Sequence, residues 1–289
     1  MDYPESKENI LIADSGATKT DWCLTREGEI LQRFSAKGIS PVYQTEVEIA
    51  EEIKQHVFPN LENIPLSAIH FYGTGCIPEK IPLVRNAIQQ SFSINAIHVY
   101  SDLIAAAHSL CGHEPGIACI LGTGSNSCEW DGERIVKQIS PLGFILGDEG
   151  SGASLGKQLV SDALKNQLPA GLKEELLDEY GLTPSLIIDR VYRHPFPSRF
   201  LASLSPFLLK HINEQHIRHI VTGGFSDFLE RNVMQYDYQK NKVNFVGSIA
   251  WHYSDLLKEV AQQKGVVTGK ITQSPIPGLI RYHYPVTSR

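Results

Sequence analysis

Asp14-Ser15-Gly16-Ala17-Thr18-Lys19-Thr20 is a polar, glycine-bearing stretch between two apolar runs, Ile10 to Ala13 and Trp22 to Leu24. That layout reads as strand, turn, strand, and Glu27-Gly28 before Ile30-Leu31 adds a third strand. A Walker A loop would instead join a strand to a helix. The same order returns a domain's length later. Ile117 to Leu121 is followed by Gly122-Thr123-Gly124-Ser125, then Cys128 to Trp130, Asp131-Gly132, and Glu133 to Ile139. One such hairpin is common, whereas two of the same layout point to an internally duplicated architecture.

Segments of helical period lie between the hairpins: Val47, Ala50, Ile53 and Val57, then Leu83/Val84, Ala87/Ile88 and Ser91/Phe92. Short apolar strands, Ala68 to Tyr72 and Ala96 to Tyr100, alternate with them, which implies an α/β layer fold. After Gly152 the chain turns helical for a long stretch, and a last strand, Val243 to Val246, leads through Gly247-Ser248 into a helix ending near Gln263. A boundary near 110 divides the chain into lobes of residues 1–110 and 111–289, meeting over a cleft.

Composition narrows the partners. With 26 Lys+Arg against 32 Asp+Glu the net charge is −6, so no basic surface makes nucleic acid the default partner. A chain 42% apolar and 20% charged is globular rather than disordered. The cysteines at 23, 76, 111, 119 and 128 are odd in number and include no C-x-x-C pair, which disfavours a disulfide framework, a zinc ribbon and an iron–sulfur site and suits a reducing, cytoplasmic setting. The polar start, MDYPESKEN, does not read as a signal peptide, and no apolar run approaches the roughly 18 residues of a membrane span. No H-E-x-x-H or G-x-S-x-G pattern supports a zinc protease or a hydrolase elbow. No heptads specify an oligomer, and a homodimer stays open.

The glycine loops carry the chemistry. A hairpin with Gly16 at its tip and hydroxyls at Thr18 and Thr20 offers N–H and O–H donors to phosphate oxygens, and Asp14 is placed to hold Mg²⁺ through water. The same residues also suit a plain tight turn. Gly122-Thr123-Gly124 follows a second apolar strand and lets backbone approach a ligand closely. Asp102 follows a strand and precedes a helix, so it reads either as a helix cap or as the base that a hydroxyl attacking a phosphoryl group needs. Gly147-Asp148-Glu149-Gly150-Ser151-Gly152 places two carboxylates before a helix. For an adenine or ribose contact, Gly247-Ser248 competes with Val221-Thr222-Gly223-Gly224.

Taken in order and spacing, DSGATKT, GTGSNS, GDEGSG and the late FVGS strand resemble the actin-like, hexokinase-like ATPase superfamily, most closely the N-acetylglucosamine kinases and the BadF/BadG/BcrA/BcrD-type ATPases. The resemblance covers nearly the whole chain. It implies two ribonuclease-H-like lobes around a nucleotide cleft, with ATP, Mg²⁺ and a small-molecule sugar as ligands. Asp14, Gly16, Ala17, Thr18 and Lys19 would form the first ATP loop, Gly122, Thr123 and Gly124 the second, and Gly247 and Ser248 the adenosine contact. Asp102 would take the hydroxyl proton. Ser40, Thr74, Gly75, Asn126, Gly143 and Asp148 would lie along the sugar.

Three departures touch the sugar side. Ser140-Pro141-Leu142-Gly143 stands for the kinases' Gly-Gly-Trp-Gly, Gly38-Ile39-Ser40-Pro41 offers Ser40 for an Asn, and Thr74-Gly75-Cys76 stands for Ser-Gly-Gly. The reading is therefore an ATP-dependent kinase of a sugar, preferentially an amino sugar such as N-acetylglucosamine. Its alternatives are an ATPase activator of a partner enzyme and an ATP-binding protein that has lost sugar turnover.

Overall fold

The computed structural model describes residues 8–16 and 18–284, so Ala17 of the first loop lies outside the described residues. The chain forms two compact units. One runs to His113 and resumes at Pro275; the other is Glu114–Ser274.

In the first unit β1 (Asn9–Ser15), β2 (Lys19–Arg26), β3 (Glu29–Lys37), β4 (Ala68–Gly73) and β5 (Ile97–Ser101) form one sheet of order β3-β2-β1-β4-β5. β1 to β3 are antiparallel neighbours, while β4 runs parallel to β1 and β5 to β4. β1 reads as an unbroken apolar run because it is covered on both faces. Leu11 and Ala13 join Trp22, Leu24, Ile49, Val84 and Ile88, whereas Ile10 and Ile12 join Cys23, Tyr72, Ala105, Ile276 and Leu279.

The second unit repeats the plan. β6 (Gly116–Leu121), β7 (Ser125–Trp130), β8 (Ile135–Gln138), β9 (Val243–Val246) and β10 (Thr268–Thr272) stand in the order β10-β9-β6-β7-β8, again with an antiparallel triplet and two parallel strands. Ile117, Cys119 and Leu121 of β6 pack with Leu155 and Leu159 of the helix Gly152–Leu164 and with Val221 and Phe225 of the helix Gln215–Arg231. The duplication read from the two hairpins is thus a duplication of whole ribonuclease-H-like sheets.

Two elements depart from the expected plan. Val243–Val246 is not the last strand, since β10 follows; TGKIT is polar and only partly buried, so it carries no apolar run to announce it. The helix Ile276–His283 belongs to the first unit, although a division at 110 assigns it to the second lobe. Ile276, Leu279 and Ile280 cover the Ile10 and Ile12 side of β1 beside the helix Asp102–Leu110, and that buried apolar area draws the helix there. Among the described residues, no helix is long and apolar enough to cross a membrane.

Candidate functional site

The first unit gathers Asp14, Ser40, Thr74, Gly75 and Asp102. Asp14 is next to last in β1, opposite Asp21 of β2 and Tyr72 of β4. Burial, aided by the nearby charges of Asp102 and Asp21, pushes its carboxyl up to about 7, against a smaller pull from Lys19. A carboxylate so crowded by its own kind fits a cation, which would relieve the repulsion. Among the described residues no set of three or more His, Cys, Asp or Glu gathers around a metal position. A divalent ion would therefore rest on Asp14 and on oxygens brought by the ligand, as expected for Mg²⁺.

Asp102 opens the helix Asp102–Leu110, but Ser101 caps it, accepting a hydrogen bond from the Ile104 N–H at 3.3 Å. The capping alternative for Asp102 is thus taken by its neighbour. Its carboxylate instead accepts from the Thr74 hydroxyl at 2.9 Å. Burial raises the Asp102 pKa, opposed by that hydrogen bond and by the backbone N–H groups of Leu103 and Asp102. A Cβ on Gly75 would lie 3.4 Å from Ser40 Oγ, so the loops holding Ser40 and Thr74 touch. Ser40 is only 6% exposed, and its amide is spent on Gln44 Oε1 at 2.7 Å.

The first loop departs from its reading in detail. Thr20 is fully buried, with its hydroxyl against Ser15 Oγ at 2.7 Å and the Lys37 carbonyl at 3.1 Å, so it fastens the hairpin and is no phosphate donor. The Gly16 N–H donates to the Lys19 carbonyl at 3.0 Å and shapes the turn. Thr18 is exposed, as is Lys19, which pairs with Asp21 at 2.8 Å.

The second unit gathers Gly122, Thr123, Gly124, Asn126, Asp148, Gly247 and Ser248. The Gly122 N–H donates to the Gly124 carbonyl at 2.9 Å, which closes the loop and leaves Thr123 exposed. Gly152 and Ala153 donate to the Gly122 and Thr123 carbonyls at 2.8 and 3.0 Å, so the GDEGSG turn is stitched to the GTGSN loop. A Cβ on Gly124 would lie 3.0 Å from Asp148 Oδ2, so any larger residue there would press on that carboxylate. Asp148 is 9% exposed, and burial, assisted by Glu149, raises its pKa to about 6 against the Ser125 N–H and Lys157. Asn126 Oδ1 accepts from its own neighbour Ser127 N–H at 2.9 Å and from Gln138. Gly143 starts the short helix Gly143–Leu146 beside an exposed Leu142.

Gly247 joins β9 to the helix Ser248–His252 with φ +123°, where a Cβ would run into the Leu121 carbonyl oxygen. Backbone is thereby pressed on the start of the second loop. Gly223 and Gly224 lie inside the helix Gln215–Arg231, where Gly224 makes room for Leu155. Sequence reasoning missed two partners. Arg231 meets Glu149 at 3.0 Å, which gives Glu149 a structural tie, and the Ser15 carbonyl receives the Thr74 N–H at 2.9 Å. Neither pairing has a local sequence signal, because both join segments far apart in the chain.

No family model matches the chain, and no curated protein matches it. Among solved structures, a Porphyromonas gingivalis protein named as a candidate N-acetylglucosamine kinase superposes with a TM-score of 0.94 at 46% identity, over 96% of this chain and 100% of its own. A Chromobacterium violaceum protein with the same candidate name gives 0.74 at 19% identity, covering 96% and 99%. A ROK-family glucokinase from Streptomyces griseus, in complex with glucose and AMPPNP, gives 0.57 at 15%, covering 95% and 97%. The last two share the fold.

Proposed function

This chain belongs to the N-acetylglucosamine kinase family of the actin-like, hexokinase-like superfamily, and from that premise we propose that it transfers the γ-phosphoryl group of ATP to a hydroxyl of a sugar, foremost an amino sugar such as N-acetylglucosamine. The observation that carries this reading is that Asp14, next to last in β1, and Asp102, directly after β5, lie close enough for the charge of one to act on the other.

Strand ends are where an α/β sheet presents its chemistry. Asp102, released from capping, takes the proton of the attacking hydroxyl. The hydroxyl oxygen then bonds to the γ-phosphorus, the bond to the β,γ-bridging oxygen breaks, and ADP leaves. Asp14 carries the charge for Mg²⁺, which when bound neutralises the phosphate oxygens. The exposed Thr18 and Lys19 of the first loop and Thr123 and Gly124 of the second bind phosphate oxygens, while Gly16 and Gly122 hold their turns in shape. Gly247 and Ser248 receive the adenosine. Asp148, poised near neutrality, and Asn126 hold ring hydroxyls of the sugar. The ATPase-activator reading has no observation of its own in its favour.

The test is product identification. Incubation with ATP, Mg²⁺ and each of N-acetylglucosamine, glucosamine, N-acetylmannosamine and glucose, followed by phosphorus NMR, should give a sugar phosphate with at least one of them. ADP release without any sugar phosphate would contradict the proposal.

A further inference from the structure

Thr74 stands in the turn after β4, and both of its hydrogen-bond donors are committed within the first unit. Its hydroxyl donates to Asp102 Oδ2 at 2.9 Å and its amide to the Ser15 carbonyl at 2.9 Å. Ser15 is itself fixed, 1% exposed, with Oγ accepting from the Ile39 N–H and lying against the Ile39 carbonyl, both at 3.0 Å, and against Thr20 Oγ1 at 2.7 Å. An unbroken run of polar contacts therefore leads from the buried end of β1, through Thr74, to the carboxylate.

The last torsion of an Asp side chain is broad, so a carboxylate without a partner swings its lone pairs through a wide arc. Proton transfer needs one lone pair on a line with the reacting hydroxyl. The Leu103 and Asp102 N–H groups hold the Asp102 carboxylate from the helix side, and a side-chain donor anchored to the strand that bears Asp14 narrows its freedom further and ties its orientation to the first loop. We infer that Thr74 is a positioning residue: its hydroxyl, held by the Ser15 carbonyl through its amide, sets the rotation of the Asp102 carboxylate and does not contact the sugar. This rests on the reading of Asp102 as the base of a sugar kinase. It replaces the expectation that Thr74 lies along the sugar.

The two roles separate kinetically. A residue that orients the base acts on the chemical step, whereas one that holds the sugar equally in ground and transition states acts on KM. Thr74→Val keeps the shape and removes the hydroxyl, and Thr74→Ser keeps the hydroxyl. Thr74→Ala repeats the loss with a smaller side chain, should valine be poorly accommodated. In the full chain, with N-acetylglucosamine and ATP, Thr74→Val and Thr74→Ala should lower kcat roughly 10- to 100-fold with sugar KM within about threefold of wild type, and Thr74→Ser should restore kcat to within about threefold. A raised sugar KM with unchanged kcat, or a serine variant as slow as the valine one, would overturn the assignment. An active wild type with an equally active valine variant overturns this inference alone. A wild type that phosphorylates no sugar overturns the kinase reading, and this inference with it.

Discussion

Ser101 caps the helix whose first residue is Asp102: its Oγ accepts the Ile104 N–H at 3.3 Å, and the carboxylate one position on accepts the Thr74 hydroxyl at 2.9 Å beside the N–H groups of Leu103 and Asp102. Ser and Asp are equally good caps. The order Ser-Asp at this joint therefore decides which side chain serves the helix and which serves the site. Removing the cap with Ser101→Ala should cost about 1 kcal/mol and draw Asp102 toward the bare N–H groups, lowering kcat as well as stability. Thermal unfolding together with turnover checks this; a stability loss with undiminished kcat would show that the division of labour is without consequence.

A buried aromatic cluster makes the first unit sensitive to acid. Tyr72 Oη lies 3.0 Å from His108 Nδ1 and 2.9 Å from His283 Nε2, and His70 stacks on His98 and lies tilted against His283. Tyr100, Tyr282 and His113 complete the surroundings. Burial, with the neighbouring histidines second, depresses the pKa of His70 and His108 to about 3 and of His283 to about 4. These groups stay neutral in the folded chain and ionise near 6.5 once unfolded, so their contribution to stability is present above pH 6.5 and is lost as pH falls toward 3 or 4. For His108, 6% exposed, the loss by pH 5 is about 2 kcal/mol. Urea unfolding at pH 7 and pH 5 should show this fall, and hydrogen exchange at pH 5 should rise first in the helix Ile276–His283. Equal stability at the two pH values would refute it.

Tyr72→Phe tests the same cluster at neutral pH. It strands two ring nitrogens with little change of volume and should destabilise by about 1 to 3 kcal/mol. A neutral effect in chemical denaturation would mean that the hydroxyl is not what satisfies the two imidazoles.

Asp148 gives the sugar side its own pH dependence. Its pKa is raised to about 6, so if Asp148 accepts a sugar hydroxyl as proposed, that acceptor is lost as pH drops below this value. Sugar affinity should then weaken by up to about tenfold per pH unit, the limit for one titrating group. Calorimetric titration from pH 5 to 8 should find this limb in the wild type and a weak, flat profile for Asp148→Asn. A limb that survives in the asparagine variant would assign it to another group.

Much of this was legible in the sequence. The two hairpins announced the duplicated sheets, because strands buried on both faces leave continuous apolar runs at Ile10 to Ala13 and Ile117 to Leu121. At Gly124 and Gly247 the sequence suggested room for a ligand, and the structure shows that the room also admits Asp148 and the Leu121 carbonyl, neither of them a neighbour in sequence. What stayed hidden depends on contacts between distant segments. Thr20 looks like a phosphate donor until the Lys37 carbonyl is brought to it, and the bond from Thr74 to Asp102 appears only once β4 and β5 pair. The returning helix was hidden for the same reason, its apolar face matching a strand at the other end of the chain.

Sugar choice should be broad. Leu142, where the kinases it resembles carry an aromatic residue, is 57% exposed, and Ser40, where they carry an amide, is nearly buried. An apolar contact discriminates by only about 1 to 3 kcal/mol, whereas buried hydrogen-bonding groups reject analogues far more strongly. Comparison of kcat/KM for N-acetylglucosamine, glucosamine, N-acetylmannosamine and glucose should give ratios well below about 10⁴, the scale of hydrogen-bonded discrimination. A ratio above that over all three competitors would contradict this reading of the two positions.

The central claim is that Asp102 is the base, and single-turnover phosphoryl transfer from ATP to N-acetylglucosamine by wild type and Asp102→Asn tests it most directly. The asparagine keeps the size and a partner for Thr74 but cannot take the proton. The account predicts a rate lower by about 10² to 10⁴, with nucleotide affinity within about threefold of wild type. Equal rates for the two proteins would contradict it.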